Sequence, residues 1–310
     1  MRILRATKRV LVGFLSKLNQ IAWPYIHKYS EQYLIPGARN LNRNLGYTDP
    51  KNEPRFQEQL NQFKTEISDA LKGNSPRTYY KFGDGDFYFL SGVGKGSAAP
   101  GRRAISRQLN EDELATFIQS SKKADSYMCE LAPENKAMFR EIFGDKKIDY
   151  PAEIVYGLIA NRWILGIPNI RIGLIGAREK LNLIEHLLEF PEYKEYLGLE
   201  SFHNYVAIPQ KFACDDLPAR LEELKEGLGH KYCDLYLIGI GHLKSGVMSE
   251  LGNFSKSVFL DIGSGIDALA GIIDKERPYF GDWVNFRSRN IDYSNLDLLQ
   301  YKKSKVKYLN

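Results

Sequence analysis

Unbroken apolar runs of five to eight residues recur in the second half of the chain, and helical stretches separate most of them. The runs lie at 170–177, 205–209, 234–241 and 257–263. Strands of a parallel sheet have this pattern because both of their faces are covered, whereas a strand with one exposed face alternates. We therefore predict an α/β fold, in which a mainly parallel, Rossmann-like sheet carries helices on both faces.

The pattern divides the chain into three parts. Residues 1–55 are predicted to form a basic amphipathic helix and a connecting arm, because residues 2–28 hold six basic residues and no acid. Residues 56–276 form the Rossmann-like domain, which begins with a helix at 56–71 whose apolar residues recur at helical spacing. Residues 277–310 form an aromatic and basic segment, whose aromatic side chains either line a sugar platform or pack onto the sheet.

The basic helix allows two interpretations: it lies on an anionic membrane surface, or it packs on its own domain or on a second subunit. The net charge of +5 is too small to indicate nucleic-acid binding. Three cysteines without a C-x-x-C pair argue against a disulfide framework or a structural zinc site. No apolar run reaches the ~20 residues of a transmembrane helix. We expect a cytoplasmic protein, peripheral at the membrane surface if the helix binds there.

Two acids stand one residue apart just after an apolar run. Asp84 and Asp86 are bracketed by Gly83 and Gly85, which allow positive φ and close backbone approach. Carboxylate oxygens without nearby Cys or His suit Mn²⁺ or Mg²⁺, ions that keep open positions for the phosphates of a nucleotide. The alternative is an Asp-Gly hairpin turn whose acids are solvated or cap backbone amides.

Glycine-bearing turns also follow the later strands, and ligands of parallel sheets bind beyond the carboxyl ends of strands. The turn at 239–246 precedes a helix, so its backbone N–H groups either hold a phosphate or form a plain tight turn. The candidate residues of these turns are Gly176, Gly239, Gly241, His242, Lys244 and Ser245.

The last apolar run ends in an acid followed by x-Gly-x-Gly, the form of the S-adenosylmethionine loop of a methyltransferase. That loop opens a seven-stranded domain, whereas only 43 residues follow Asp267 here. Asp261 and Asp267 therefore belong to another site, where they either face a ligand at the strand end or serve as caps.

The order of these motifs resembles that of the GT-D-type glycosyltransferases. In that family an R-[FY]-G-D-G-E turn carries the metal and sugar-nucleotide site, and a late D-I-G turn closes the nucleotide-sugar pocket. Lys81 to Asp86 and Asp261 to Gly263 stand in these places. Lys81 replaces the usual arginine, Asp86 replaces the usual glutamate, and Ser264 stands where a histidine is expected.

The resemblance implies a metal-dependent glycosyltransferase that moves a sugar from a nucleotide sugar, a UDP-sugar, to a glycan, polysaccharide or other hydroxyl acceptor. Asp84 and Asp86 would hold Mn²⁺ or Mg²⁺ against the leaving diphosphate. Asp267 or Glu250 would deprotonate the acceptor if the enzyme inverts. The predicted donor contacts are Lys81, Gly83, Gly85, Gly176, Gly239, Gly241, His242, Ser245, Asp261 and Gly263.

Two other functions stay open at this stage. A methyltransferase would use Asp261 and Gly263 for S-adenosylmethionine and would need no metal at Asp84. A non-enzymatic protein would bind a sugar or a membrane surface through its basic arm and aromatic segment. In each case we expect no nucleic-acid partner, and a homo-oligomer is compatible with the sequence.

Overall fold

The computed structural model describes residues 53–73, 75–130, 133–160, 162–273, 283–291, 293, 296 and 306–309. The basic helix and connecting arm predicted at 1–55 lie outside the described residues, apart from the start of the first helix. In the part of the chain that is described, no helix is both long and apolar enough to cross a membrane.

Seven strands form one sheet in which every neighbouring pair is parallel, which confirms the predicted α/β fold. Their order across the sheet is β3-β2-β1-β7-β6-β4-β5. The four apolar runs of the sequence became β4 to β7, whereas β2 and β3 were not predicted. The strands are β1 (Arg77–Phe82), β2 (Ser126–Cys129), β3 (Tyr150–Pro151), β4 (Ile172–Ala177), β5 (Asn204–Ile208), β6 (Leu235–Gly239) and β7 (Val258–Asp261).

Helices connect the strands, as the alternating pattern predicted. The predicted helix at 56–71 is the first of them, and its Leu60, Phe63 and Ile67 are fully buried. The helices are α1 (Glu53–Lys72), α2 (Asp84–Leu90), α3 (Glu111–Ser121), α4 (Pro133–Phe143), α5 (Glu153–Ala160), α6 (Arg178–Leu187), α7 (Pro191–Leu197), α8 (Leu217–His230), α9 (Lys244–Phe254) and α10 (Gly265–Leu269).

The sheet separates two apolar cores, one on each face. Successive strand residues point to opposite faces, so Leu174 and Leu237 join one core while Ile175 and Ile238 join the other. Helices α1, α5, α6, α7 and α10 cover the first core, and α2, α3, α4, α8 and α9 cover the second. Full burial of each such side chain contributes about 1.5 to 3 kcal/mol, which explains why the strands are apolar on both faces.

The aromatic residues of the C-terminal segment that the structure describes pack onto the domain. The Trp283 indole donates a hydrogen bond to the carbonyl of Ala268 at 3.0 Å, and its ring contacts Tyr196. Phe286 lies in β8 (Asn285–Ser288), which pairs with β9 (Val306–Leu309) in a small parallel sheet. Both Trp283 and Phe286 are buried, so of the two interpretations packing is the one that holds for them.

Strand register and helix placement shape the carboxyl edge of the large sheet. Gly176 of β4 is level with Gly239 of β6, and Ile238 is level with Asp261 of β7, so the turns after these strands leave the sheet together. The helix after β4 covers one face of the sheet and the helix after β6 covers the other. Neighbouring strands whose chains diverge in this way leave a crevice between their carboxyl ends, where ligands of open α/β sheets bind.

Candidate functional site at the carboxyl edge of the sheet

The acidic motif after β1 begins a helix instead of forming a β-turn. Gly83 precedes α2 in an extended conformation, with φ −136°, and its N–H donates to Asp86 Oδ2 at 2.9 Å. Neither Gly83 nor Gly85 has the positive φ that the sequence suggested. Glycine at position 85 allows the His242 ring to pack closely against the backbone, because a Cβ on Gly85 would lie 3.3 Å from that ring. Asp84, the first residue of α2, is exposed.

A buried lysine joins the acids that end β1 and β7. The Lys244 ammonium lies 3.1 Å from Asp86 Oδ2 and 2.6 Å from Asp261 Oδ2, and it also donates to the carbonyl of Lys81. Asp261 accepts two further bonds, from the N–H groups of Lys81 at 3.1 Å and Gly263 at 2.9 Å. All of these side chains are at least nine-tenths buried. The network fixes three neighbouring turns relative to one another.

The carboxyl of Asp86 is held ionised by its surroundings. Burial by itself raises the pKa of this group, but Lys244, His242 and Lys81 outweigh burial, and the net pKa lies well below its usual range. Asp86 therefore serves as the counter-ion of Lys244 at any ordinary pH.

Lys81 places a second ammonium group in the same region, and the hydrogen bonds of this group are incomplete. Its side chain is buried and passes over the turn after β7, where a Cβ on Gly263 would lie 2.6 Å from Lys81 Cε. The ammonium lies over the Tyr156 ring, 5.1 Å from the centroid. Burial lowers the pKa of Lys81, but Tyr156, Glu130, Asp261 and Asp86 together raise it well above its usual value.

The ammonium of Lys81 is therefore charged. Among the described residues, no oxygen accepts a hydrogen bond from it and no carboxylate forms an ion pair with it. The neighbouring Ser264 hydroxyl is likewise buried without a hydrogen-bond partner in the described part of the chain. The Lys81 ammonium and the Ser264 hydroxyl, both at the turn after β7, can therefore make further hydrogen bonds.

His242 connects the acidic motif to the glycine-rich loop at 91–97. Its ring stacks on Phe89 with 4.9 Å between centroids, and Nε2 lies 2.8 Å from the Ser97 hydroxyl. The other nitrogen, Nδ1, lies 3.6 Å from Asp86 Oδ1, beyond hydrogen-bond distance, and has no partner among the described residues. Ser97 of the loop is thus hydrogen-bonded to the turn after β6 through His242.

A cavity of about 210 Å³ occupies the crevice between β4 and β6. Its apolar wall comes from the ends of β4, β5 and β6, and its polar wall comes from the loops that cover them. Gly241 has φ +57° and no atom within 4 Å of a Cβ position, so this turn opens toward free space. The lining residues are Ser97, Arg103, Ala104, Ala177, Lys180, Ile208, Pro209, Gln210, Ala213, Cys214, Gly239, Ile240, Gly241 and His242.

Several predicted contacts lie away from this open space. The Ser245 hydroxyl is fully buried and lies 2.7 Å from the Tyr80 hydroxyl, so it is a core contact. Gly176 packs against Leu181, which lies 3.0 Å from its Cβ position. Both residues serve the packing of the strand ends in this structure, and the phosphate contact predicted for Ser245 is not available in this arrangement.

Asp267 and Glu250, the two acids predicted as bases for the acceptor, already interact with other side chains. Asp267 Oδ1 lies 2.5 Å from the ammonium of Lys180, whose side chain reaches the cavity. Glu250 accepts bonds from Ser249 and Asn253 on α9. It lies six residues along that helix from Lys244, or about 9 Å below the carboxyl edge at the usual helical rise.

The described residues do not form a metal site on their own. No group of three or more His, Cys, Asp or Glu side chains among them is arranged to hold an ion. Asp86 Oδ2 is already occupied by the Gly83 N–H and by the Lys244 ammonium, which would also repel a cation. Binding of Mn²⁺ or Mg²⁺ at Asp84 and Asp86 therefore stays a prediction.

Three polar residues of this edge were not singled out from the sequence. Glu130 follows β2, and its Oε1 lies 3.4 Å from the position that a Cβ on Gly83 would occupy. The side-chain amide of Asn135 donates a hydrogen bond to Glu130 Oε2 at 2.6 Å. Lys180 and Gln210 line the cavity. Each follows the end of a strand, and that position was the signal available in the sequence.

No family model matches the chain, and no curated protein or solved structure is significantly similar to it.

Proposed function

We propose that the protein is a glycosyltransferase that uses a nucleotide sugar, and that Lys81 binds the diphosphate of the donor. The supporting observation is the charged ammonium of Lys81, at the end of a largely buried side chain, for which the described residues offer no hydrogen-bond acceptor. The sugar-transfer chemistry rests on the resemblance of the motifs after β1 and β7 to GT-D-type enzymes.

The energetic reason for an anionic ligand is the cost of an unpaired charge. A buried ion costs several kcal/mol unless a partner and hydrogen bonds compensate it. Lys244 has close ion pairs with Asp86 and Asp261, whereas the Lys81 ammonium has the Tyr156 ring beside it and is stabilised by Glu130, Asp261 and Asp86 without a hydrogen bond to any of them among the described residues. A diphosphate presents several anionic oxygens, so it supplies the acceptors that Lys81 lacks and a partner for the Ser264 hydroxyl.

This placement fits the charge changes of glycosyl transfer. When the bond between the sugar C1 and the diphosphate breaks, the departing diphosphate gains negative charge. A fixed ammonium in a largely buried site stabilises that charge more than it stabilises the intact donor. The acceptor hydroxyl must lose a proton to a base, and Glu130 is an unassigned carboxylate at this edge whose side chain is only partly buried.

The methyltransferase alternative has no support at Asp261. An acid that binds the cofactor ribose must present a free oxygen, but both oxygens of Asp261 accept bonds from Lys81, Lys244 and Gly263. Asp261 is also 1% exposed. The residue ties β7 to β1 instead of facing a ligand.

Titration calorimetry with UDP tests the proposal on the wild type and on Lys81→Met and Lys81→Arg. Loss of a charge-assisted contact should weaken UDP binding about tenfold or more in the Met variant, and Arg should retain most of it. Lys256→Met is the matched control, because Lys256 is exposed just before β7 at the opposite edge.

Hydrolysis of UDP-sugars, with and without Mn²⁺, then tests turnover and separates an enzyme from a sugar-binding protein. UDP binding that is equal in the wild type and a folded Lys81→Met variant would overturn the role of Lys81. Absence of any UDP binding or donor hydrolysis would overturn the glycosyltransferase proposal itself.

A further inference from the structure

One residue that lines the cavity between β4 and β6 carries a buried acceptor without a partner in the described part of the chain. Gln210 Oε1 has no hydrogen-bond partner among the described residues, and Gln210 lines the cavity. A buried carbonyl oxygen without a partner costs about 1 to 3 kcal/mol, so a group with an N–H or O–H donor is expected opposite it.

The rest of the lining describes the shape of that group. Ala177, Ile208 and Ile240 provide apolar contacts, and the glycine backbone of the turn after β6 permits close approach. The polar wall includes Arg103 and Lys180, whose ammonium is paired with Asp267. An apolar slot with one amide at its edge suits a flat heterocycle, which offers apolar faces and a polar rim.

Size limits what the cavity holds. Its volume of about 210 Å³ is below the ~300 to 1,000 Å³ of pockets that enclose a whole ligand. It therefore has room for one ring system and not for a complete nucleotide sugar. The remainder of the ligand must lie outside it, toward the neighbouring turns.

The neighbouring turn is the one that carries Lys81. The Cβ position of Gly239, in the cavity wall, lies 3.1 Å from the carbonyl oxygen of Gly263, and Gly263 is in contact with the Lys81 side chain. A ligand with its ring in the cavity can thus extend along the carboxyl edge toward the ammonium. The order of groups, ring and then anion, is that of a nucleoside diphosphate.

We propose that this cavity binds the nucleobase of the donor and that Gln210 reads its N–H edge. The inference rests on the proposed function, because the ligand is taken to be a nucleoside diphosphate. The imide of uracil matches best: its N3–H donates to Gln210 Oε1, and the adjacent carbonyl accepts from the Gln210 NH₂ group. Gln210 is therefore a specificity-determining residue, and the diphosphate contacts belong to Lys81.

The test uses three probes and keeps the two sites apart. UDP carries both the base and the diphosphate, 3-methyl-UDP carries a methyl group in place of the N3–H, and pyrophosphate has no base. In the wild type, UDP should bind about tenfold more tightly than 3-methyl-UDP, the usual effect of one buried hydrogen bond. In Gln210→Leu, the affinity for UDP should fall by a similar factor. UDP and 3-methyl-UDP should then bind equally well, as expected if Gln210 and the N3–H form a coupled pair.

Two further variants sharpen the test. Gln210→Glu keeps an acceptor oxygen, so it should keep the preference for UDP over 3-methyl-UDP even if overall affinity falls. Gln119→Leu, at an exposed position on α3, should behave as the wild type with all three probes. Pyrophosphate binding should be unchanged in Gln210→Leu and weakened in Lys81→Met.

The possible outcomes distinguish the base site from the diphosphate site. Equal binding of UDP and 3-methyl-UDP to the wild type, or a preference that survives in folded Gln210→Leu, would overturn the base site while Lys81 could still bind the diphosphate. UDP binding that depends on Gln210 and not on Lys81 would keep the base site and overturn the diphosphate site. Failure of UDP to bind at all would overturn both.

Discussion

The amino and carboxyl edges of the sheet differ in how far their polar side chains are hydrogen-bonded. At the amino edge, Glu66 of α1 accepts bonds from Arg77 at 2.5 Å, from the Tyr79 hydroxyl at 3.0 Å and from the Tyr150 hydroxyl at 2.5 Å. Asp125 accepts from both the N–H and the hydroxyl of Thr78. Both carboxylates are thus hydrogen-bonded within the chain, and the bonds of Glu66 join α1, β1 and β3.

At the carboxyl edge the same kinds of groups are left without partners. In the described residues, Lys81 makes no hydrogen bond through its ammonium, and His242 Nδ1, Ser264 Oγ and Gln210 Oε1 are buried and unbonded. In the described part of the chain, the amino side of the sheet also has buried unbonded atoms, Arg77 Nε and His186 Nε2, but Arg77 is otherwise paired with Glu66 and His186 Nδ1 lies 3.1 Å from Glu189. The difference favours the carboxyl edge as the proposed ligand site, because a buried polar group without a partner in the chain calls for another explanation, such as a bound ligand.

Cavity size alone would favour the amino edge. A groove of about 1,110 Å³ lies at the amino edge between α1 and the start of β1. It is lined by side chains such as Glu66 and Asp125, whose oxygens are already bonded. The smaller cavity at the carboxyl edge has the unpaired acceptor and the glycine turns, so chemistry favours it.

The largest effect on stability is expected at Lys244. Lys244→Met leaves Asp86 and Asp261 buried without their counter-ion, and breaking a buried pair in this way costs about 3 to 5 kcal/mol. Glu66→Gln at the amino edge should cost about 1 to 2 kcal/mol, because the amide still accepts from the tyrosines. Urea unfolding of both variants measures the difference. Equal losses would show that the Lys244 network is no more critical than the amino edge.

The pH dependence of stability should report the same network. The pKa of Asp86 is lower in the folded chain than the value of about 3.9 in the unfolded chain. Its contribution is therefore complete above about pH 5 and is lost as pH falls through the acid range, by at most about 1.4 kcal/mol per pH unit. Unfolding free energies between pH 6 and pH 3 should fall less steeply in Asp86→Asn than in the wild type; identical slopes would contradict the assignment.

A smaller loss of stability is expected at Lys81. Despite burial, Tyr156, Glu130, Asp261 and Asp86 raise its pKa in the folded chain, so folding favours the charged lysine at neutral pH. Lys81→Met should therefore destabilise the ligand-free protein, but less than Lys244→Met, because the Lys81 ammonium has no close ion pair among the described residues. Arg77→Met at the amino edge is the matched change on the same strand, and it should destabilise because it breaks the pair with Glu66. Thermal unfolding without ligand compares the variants. Unchanged or higher stability in Lys81→Met would show that the neighbouring carboxylates do not compensate its charge.

The smallest effect concerns two glycines with the same backbone conformation. Gly241 and Gly198 have φ +57° and φ +67°, and neither has an atom within 4 Å of its Cβ position. Alanine at either position should cost about 1 to 2 kcal/mol from backbone strain alone. Because Gly241 lines the cavity, only Gly241→Ala should also weaken UDP binding in calorimetry. An equal effect of both variants on binding would remove the turn after β6 from the site.

Local pattern was sufficient for the central strands and the first helix. β4, β6 and β7 are buried along their whole length and are almost entirely apolar, and the edge strand β5 is apolar after Asn204. α1 repeats its apolar residues at helical spacing, so neighbouring residues alone carry these signals. The pattern failed at β2 and β3, which are only four and two residues long. It also failed at α2, where Gly-Asp-Gly-Asp favours a turn locally but the Asp86 carboxylate caps the backbone and starts a helix.

The sequence by itself determined which residues could meet: parallel strands end at one edge, so the acids and glycines that follow them were expected there. Only the tertiary structure decided which of them are satisfied. Asp86, Lys244 and Asp261 come from three distant parts of the chain, and their pairing depends on the strand order that places β7 between β1 and β6. The same order leaves the Lys81 ammonium and Gln210 Oε1 without a hydrogen bond to any described residue. The partners of a side chain are set by the packing of neighbouring strands and not by residues near it in the chain.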